Sequence, residues 1–524
     1  MKNINYKNLL YFVPLSFLLI AFIVKAVFLG YSDFASYYFG SLELVKGNYL
    51  DVYDTAPFNL LISGKGFKEL FVSYTPFPPF TSIFFIPWTI LPIELSKVMF
   101  NCISSLLFFV TIVRITKYYA ISPVCILLLP IIFFTPIRSN IYFGQSYLLL
   151  FCLLIEGYMA YEKKQIFLSS ILWGIAILFK VFPVLIFLFL LLQKKYKHIV
   201  YLTSVCLVLL IVSILINGFY SWKFYLTQIF PRLNNGELND SYTYIFQSGF
   251  MLLKNVFIYD ELQNPNVIFN NIYIFSILLA LFKALIISSC VFVTINKQNM
   301  DSLLSFAIWI TASMIISPNG STYSLVLLII PVVAILRSSY SLISKCLICL
   351  LVTLICNIPV TYVESLSLLL KFPRLYLMIV FFVFTVILAK VQFNYKIFSV
   401  LLFLFMLIES HRLYTKTDQS TSLLTQKKYD LIYNYYSRND SMICCYWTTK
   451  GSKEEYIASI ISLNTKDLFL KDNQIYYKGS KITNSADWKR KPILLNGEYI
   501  VYLSDKNRGV GFYTLRKINL NHHI

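Results

Sequence analysis

Residues 9–38 read LLYFVPLSFLLIAFIVKAVFLGYSDFASYY. The first part, Leu9–Leu29, is apolar apart from Ser16 and Lys25. A helix over it reaches across a hydrocarbon core of ~30 Å. The run is long, carries Lys25 and lacks a small-residue cleavage pattern, so it reads as a transmembrane helix rather than a signal peptide. The second part, Gly30–Tyr38, sets Asp33 a few residues beyond the apolar run. A carboxylate at the mouth of a span is costly to hold there, and such acids mark functional candidates.

Similar runs recur along the chain. Of its 524 residues, 58% are hydrophobic and 13% charged, with a mean hydropathy of +0.68. Soluble domains carry roughly 25% charged residues. The runs do not alternate as outer-membrane barrel strands do, so the chain is expected to be an all-α polytopic membrane protein. The net charge of +20 lies largely in short loops beside spans, where cytoplasmic flanks require it. It implies no nucleic-acid partner. The aromatic content of 17% suits interfacial belts and helix packing. The ten cysteines fall mostly in apolar runs with no metal-ligand spacing, and adjacent Cys444 and Cys445 give no disulfide framework.

Lys2 and Lys7 place the N-terminus in the cytoplasm and Asp33 on the outer face. Residues 32–46 have helical spacing, with Phe34, Tyr37, Tyr38 and Leu42 on one side, as in an amphipathic interfacial helix ended by Gly47. The prolines of Tyr74-Thr75-Pro76-Phe77-Pro78-Pro79 force an extended segment, and Phe80–Leu91 reads as short and re-entrant. Arg114 and Lys117, Lys163 and Lys164, and Lys194, Lys195 and Lys197 favour the cytoplasm. Between them, two helical hairpins meet at Arg138–Gln145 and at Lys180-Val181-Phe182-Pro183, which brings Arg138, Gln145 and Lys180 to the side of Asp33. Later spans include Ile274–Ile295, which ends at Lys297, and the pair flanking the Ser317–Tyr323 turn. Spans total about thirteen, so an N-terminus inside implies a C-terminus outside. Composition changes at Glu409-Ser410-His411. Residues 1–410 are thus expected to form the membrane domain, and 411–524 a small extracytoplasmic α/β domain.

Asp33, Lys46-Gly47-Asn48-Tyr49, Tyr74-Thr75-Pro76-Phe77-Pro78-Pro79, Gly144-Gln145-Ser146-Tyr147 and Lys180-Val181-Phe182-Pro183 occur in that order. Together they resemble glycosyltransferase family 87, polyprenyl-phosphate-sugar-dependent transferases of the GT-C superfamily that include bacterial α-mannosyltransferases. The resemblance covers roughly the first half of the chain and the Ser317-Pro318 turn. It implies transfer of a hexose, mannose in those members, with inversion, from a polyprenyl-phosphate donor to a lipid-linked or cell-envelope glycan acceptor in a bacterial inner or plasma membrane. Such a reaction needs a base for the acceptor hydroxyl and cations or donors for the departing phosphate. It needs no cofactor, and no metal is expected.

Asp33 matches the family's acidic position and so would be the base; Ser32 or Asp33 would also serve as a helix N-cap. Lys180 matches the lysine of the Lys-x-x-Pro segment and would bind the lipid phosphate, or else snorkel to an interface. Gln145 would bind sugar or phosphate, or join helices. Arg138 is a second phosphate candidate or an ordinary interfacial arginine. Tyr74 would line the sugar pocket, against the interfacial anchoring that is usual for Tyr. Family members often carry His after the Ser-Pro turn; this chain carries Asn319-Gly320-Ser321-Thr322-Tyr323, leaving acceptor recognition to Asn319 or Tyr323. The alternatives are a transporter or flippase, or an O-antigen-type polymerase or ligase, of lipid-linked glycans. A transporter would tend to show two related halves; a polymerase or ligase would carry its functional loop late in the chain.

Overall fold

The computed structural model describes residues 10–238, 241–295, 302–389, 393–414, 418–424, 431–439, 441–448, 451–459, 463–465 and 467–520. Lys2, Lys7 and Lys297 lie outside the described residues. The chain is 65% helical. Among the described residues, five segments are long and apolar enough to cross a bilayer: Leu10–Val27, Ile93–Tyr118, Tyr196–Asn217, Ile272–Ile295 and Tyr395–Tyr414. A sixth is Val124–Ile132 with Phe134–Phe143 if that pair, bent by 60°, is one span. The other apolar helices run 10–17 residues. Several of the expected crossings are therefore short pieces, because Pro and Gly interrupt the apolar runs.

Helix α1 (Val13–Val27) starts with a proline in its first turn and buries Leu15, Leu19, Phe22 and Ala26. That 4-3-4 spacing is one helical stripe, and the rest of α1 is left for lipid. The stripe joins the main core, where it meets Phe108, Ile112 and Ile137.

Helix α2 (Ser32–Val45) follows at once, and Gly47 ends it with φ +86°. The sequence suggests a helix lying on a surface. Instead Phe34 through Ser41, together with Glu43 and Leu44, are all buried. The helix is covered by segments that follow it in the chain, Phe80–Phe85 and Ile86–Ile90 among them. At its end Glu43 accepts from Lys46 (3.0 Å), from Asn48 (2.8 Å) and from Lys65. The Lys46-Gly47-Asn48 motif thus closes the helix.

Gly40 lies under the Tyr74 ring, where an added Cβ would sit 2.1 Å from Cδ2. Gly40→Ala is expected to destabilise the protein by about 1–3 kcal/mol, the range for overpacking. A thermal-unfolding midpoint measured in detergent reads this directly.

The described residues from Asp418 onward form strands and contain no α-helix, which corrects the expected α/β domain to a β one. Its apolar runs are short and alternate, and tight turns cut them. Asp472 and Asn473, both at positive φ, make the two-residue turn between Leu468–Lys471 and Gln474–Tyr477, as type I′ hairpins require. A five-stranded antiparallel sheet has the order Thr421–Ser422, Thr514–Asn519, Tyr499–Ser504, Lys489–Leu495, Leu463–Asn464. Two three-stranded sheets accompany it, one of Leu431–Arg438, Ser441–Thr448 and Gly451–Ser459, the other of Leu468–Lys471, Gln474–Tyr477 and Ser480–Lys481.

This β region shares one apolar cluster with the segment after α1: Tyr37, Tyr74, Phe77 and Tyr225 belong to the same core as Val501, Leu503 and Tyr513. Polar contacts join the same faces. Asp54 takes an ion pair from Arg490 and a hydrogen bond from the Tyr513 hydroxyl (2.8 Å). Thr55 donates to the Val510 carbonyl (2.8 Å). Gly511 has φ +78°, and its missing Cβ leaves room for the Thr55 amide, which would otherwise lie 2.3 Å away.

Candidate active site

The ordered motifs meet in one place, and each has a local reason to be there. Gly144 closes helix α3 (Phe134–Phe143) at φ +65°, with the position of its absent Cβ 2.6 Å from Cβ of Phe34. Only glycine permits both the left-handed turn and the close approach to α2. The next three residues then face Asp33 and its neighbours. The Gln145 amide donates to Asp33 Oδ2 (2.6 Å) and accepts from the Tyr37 hydroxyl (2.8 Å). Ser146 Oγ lies 3.1 Å from the same hydroxyl. Tyr147 begins helix α4 (Tyr147–Glu162), and its backbone N–H donates to Asn140 Oδ1 (3.1 Å).

Tyr37 is the hub. It stands one helical turn after Asp33, so both project from one face of α2. Its ring is stacked between Phe77 and Phe85, each at a centroid distance of 4.3 Å. Its hydroxyl accepts a hydrogen bond from Lys180 Nζ (2.9 Å). Lys180 ends helix α5 (Ile166–Lys180), and its ammonium lies 4.3 Å from the Phe77 centroid and 4.8 Å from that of Tyr147. The cation is thus held by a hydroxyl and aromatic faces rather than by a carboxylate. Val181, a β-branched residue, follows at φ +51°. Such a residue rarely occupies that region, and strain of this kind clusters at functional sites. Ser32, immediately before Asp33, is also at positive φ, +48°.

The residue at the α2 N-cap is Tyr31, which makes no side-chain capping hydrogen bond. The Asp33 carboxylate accepts from Gln145. Burial pushes the Asp33 carboxyl above the ordinary aspartate range, against the Gln145 hydrogen bond and the Lys180 and Lys97 charges that pull it down.

Beside this chain of contacts lies a cavity of about 670 Å³ lined by Pro76, Phe77, Tyr147, Lys180, Asn319 and Tyr323, among others. That volume suits a small ligand. Asn319 lines it, and its Oδ1 is buried and unpartnered among the described residues. A buried acceptor without a donor is expensive. Tyr323 packs on Tyr147 at 5.2 Å, and its carbonyl accepts from Asn140.

Three predicted residues are placed differently. Asp33 is not in the cavity lining; it is linked to the lining through Gln145, Tyr37 and Lys180. Tyr74 is fully buried against Gly40 and the rings of Tyr53 and Phe77, away from the lining, so it packs rather than contacts a ligand. Arg138 stays on α3 over the Phe134 ring, 5.8 Å from its centroid, and does not reach the lining. Conversely, Tyr37, Phe77 and Tyr147 carry the geometry without having been singled out. The four-residue interval from Asp33 to Tyr37 was the available signal. Among the described residues no group of three His, Cys, Asp or Glu side chains could hold a metal.

The apolar bundle and the polar chain that ends at Lys180 beside a ligand-sized cavity agree with a family comparison that supports a membrane glycosyltransferase. Residues 74–318, somewhat under half of the chain, match the model of glycosyltransferase family 87, from the Tyr74 segment to Pro318 on the cavity wall. Gln145 and Lys180 fall inside the match; Asp33, Asn319 and Tyr323 fall outside it. No curated protein matches the chain.

Proposed function

We propose that the chain transfers a hexose, mannose by family resemblance, from a polyprenyl-phosphate-linked donor to a glycan or glycolipid acceptor, with inversion and on the extracytoplasmic side of the membrane. The observation that carries this reading is the continuous line Asp33–Gln145–Tyr37–Lys180 against the cavity wall. The acceptor hydroxyl oxygen bonds to the anomeric carbon as the carbon–oxygen bond to phosphate breaks. The hydroxyl proton goes to Asp33, which requires the acceptor hydroxyl to reach past the cavity wall at Tyr147 and Lys180 to the carboxylate, and the phosphate keeps the bonding electron pair. Lys180 meets the charge that develops on the phosphate. Asn319 and Tyr323 contact sugar hydroxyls. Gln145 fixes the Asp33 carboxylate, and Tyr37 fixes the distance between base and cation. A desolvated carboxyl with a raised pKa is the stronger proton acceptor. The short helices supply the remaining crossings of a bundle with about thirteen, N-terminus inside and β region outside.

The test uses the purified full-length protein, a radiolabelled polyprenyl-phosphate mannose and a mixed lipid-linked acceptor pool. Release of polyprenyl phosphate with label moving to the acceptor is expected. Label that merely changes leaflet in vesicles would mean a flippase instead. Tyr37→Phe keeps the stacked ring and deletes the hydroxyl. It is expected to lower turnover roughly ten- to a hundredfold, the scale of a hydrogen bond to a charged group, while KM for the donor changes less.

A further inference from the structure

The cavity has a second cationic wall that the reaction above does not use. Helix α7 (Tyr395–Ser410) is an apolar helix whose single buried residue among those described is Glu409. Glu409 accepts from Lys283 Nζ (2.6 Å) and from Arg412 Nε (2.6 Å). Lys283 lies in the middle of helix α6 (Ile272–Ile295), a candidate span, where a cation is costly and is functional by default. Arg412 is further oriented by the Asn235 side-chain oxygen and by the Phe250 ring at 5.4 Å. Both cations and Glu409 line the same cavity as Lys180.

Charge decides what this wall is for. An ion pair that only joined α6 to α7 would need one cation. Here the cavity wall presents Lys180, Lys283 and Arg412 against one carboxylate, Glu409. A surplus of positive charge in a desolvated cavity calls for anions. Lys180 sits on α5 among the rings of Phe77 and Tyr147, whereas Lys283 and Arg412 sit on α6 and after α7, so the two cationic groups come from different parts of the bundle. The cavity also has a lipid side: Ile408 lines it and is 56% exposed on the outer face of α7, beside Leu407 at 55%. An anion that comes in past those side chains arrives on an apolar tail.

We propose that Lys283 and Arg412, held by Glu409, form a second phosphate seat that takes the head group of a lipid-linked acceptor, while Lys180 takes the donor phosphate. This rests on the transferase reading for the identity of the two lipids. The seat itself can be tested by binding alone. Full-length protein in nanodiscs is titrated with a radiolabelled short-chain polyprenyl phosphate, and inorganic pyrophosphate serves as competitor. Two molecules bound per protein are expected. The double variant Lys283→Gln, Arg412→Gln is expected to lose one of them, with affinity there weakened roughly tenfold or more, the scale of a charge-assisted hydrogen bond. Lys180→Gln is expected to weaken the other.

Glu409→Gln removes the competing negative charge and keeps a side-chain carbonyl oxygen to hold the cations in place, so it is expected to bind at least as tightly as the parent. Loss of binding in Glu409→Gln, with a retained thermal midpoint, would overturn the seat. So would a single bound lipid in the parent, or a folded double variant that still binds two with parental affinity. Displacement by inorganic pyrophosphate at concentrations equal to the lipid's would overturn the assignment to a lipid. Two bound lipids without any transfer activity would uphold the seat and refute the transferase reading alone.

Discussion

Asp33→Asn is expected to lower polyprenyl phosphate release by roughly 10²–10⁴-fold, the usual contribution of a positioned general base. The substitution is close to isosteric. The Asn oxygen can still accept from the Gln145 amide, so the contact now at 2.6 Å and the packing of α2 survive. The thermal midpoint and donor binding should therefore stay near those of the parent, and turnover alone should fall. The pH profile gives a second readout. A base works only when ionised, so the rate should fall as pH drops through the Asp33 pKa. Because burial raises that pKa, the acid limb should lie above the ordinary aspartate range. Asp33→Glu should keep an acid limb with a reduced rate, and Asp33→Asn should have none. Full activity in Asp33→Asn would remove the base assignment and leave Lys180 and its aromatic cage without a catalytic partner.

What was legible in the sequence followed from local rules. Long apolar runs, proline breaks and basic flanks give the bundle and the short hairpins, because hydrocarbon tolerates only internally bonded helices. Gln145 and Lys180 could be placed near Asp33 from the charge pattern of loops alone. The burial of Asp54 and Thr55 could not be read, because it depends on residues from the far end of the chain. No local periodicity reports a partner some 450 positions away, as at Thr55 and Val510. Tyr74 and Arg138 misled for a related reason: their side chains suit a binding site, but a glycine opposite the one and a phenylalanine beneath the other decide where they lie. The helical content expected in the C-terminal region also failed, since its short runs alternate and its Asn and Asp residues fit positive-φ turns better than helix interiors. Lys283 was visible as a lone cation within an apolar run; its partner Glu409 passed for the edge of a domain.

The β region should be held mainly by one buried pair. Asp505 is fully buried and accepts from Arg232 Nη1 (2.8 Å) and from the backbone amides of Trp488 (2.7 Å) and Gly511 (3.0 Å). Arg232, on the short helix Phe230–Asn234, also donates to Glu237 (2.7 Å) and to the carbonyls of Asp505 and Arg508. Asp505→Ala removes the charge that balances Arg232 on the β side and strands two amides. Breaking a buried pair from one side costs about 3–5 kcal/mol, a large share of ordinary domain stability. Asp505→Asn keeps an acceptor and should cost less, while an exposed change such as Lys478→Ala should stay within about 0.5 kcal/mol. Limited proteolysis should then cut strands after Asp418 in Asp505→Ala before any helix of the bundle. The effect should reach the cavity, because Trp488 packs on Phe224 at 5.2 Å and the next residue, Tyr225, lines the cavity wall. A variant that stays resistant to protease with a parental thermal midpoint would mean that apolar contacts such as Phe71 with Phe512 hold the cover instead. A variant that loosens the cover and lowers turnover together would show that the β region keeps the candidate site in shape from outside the bundle.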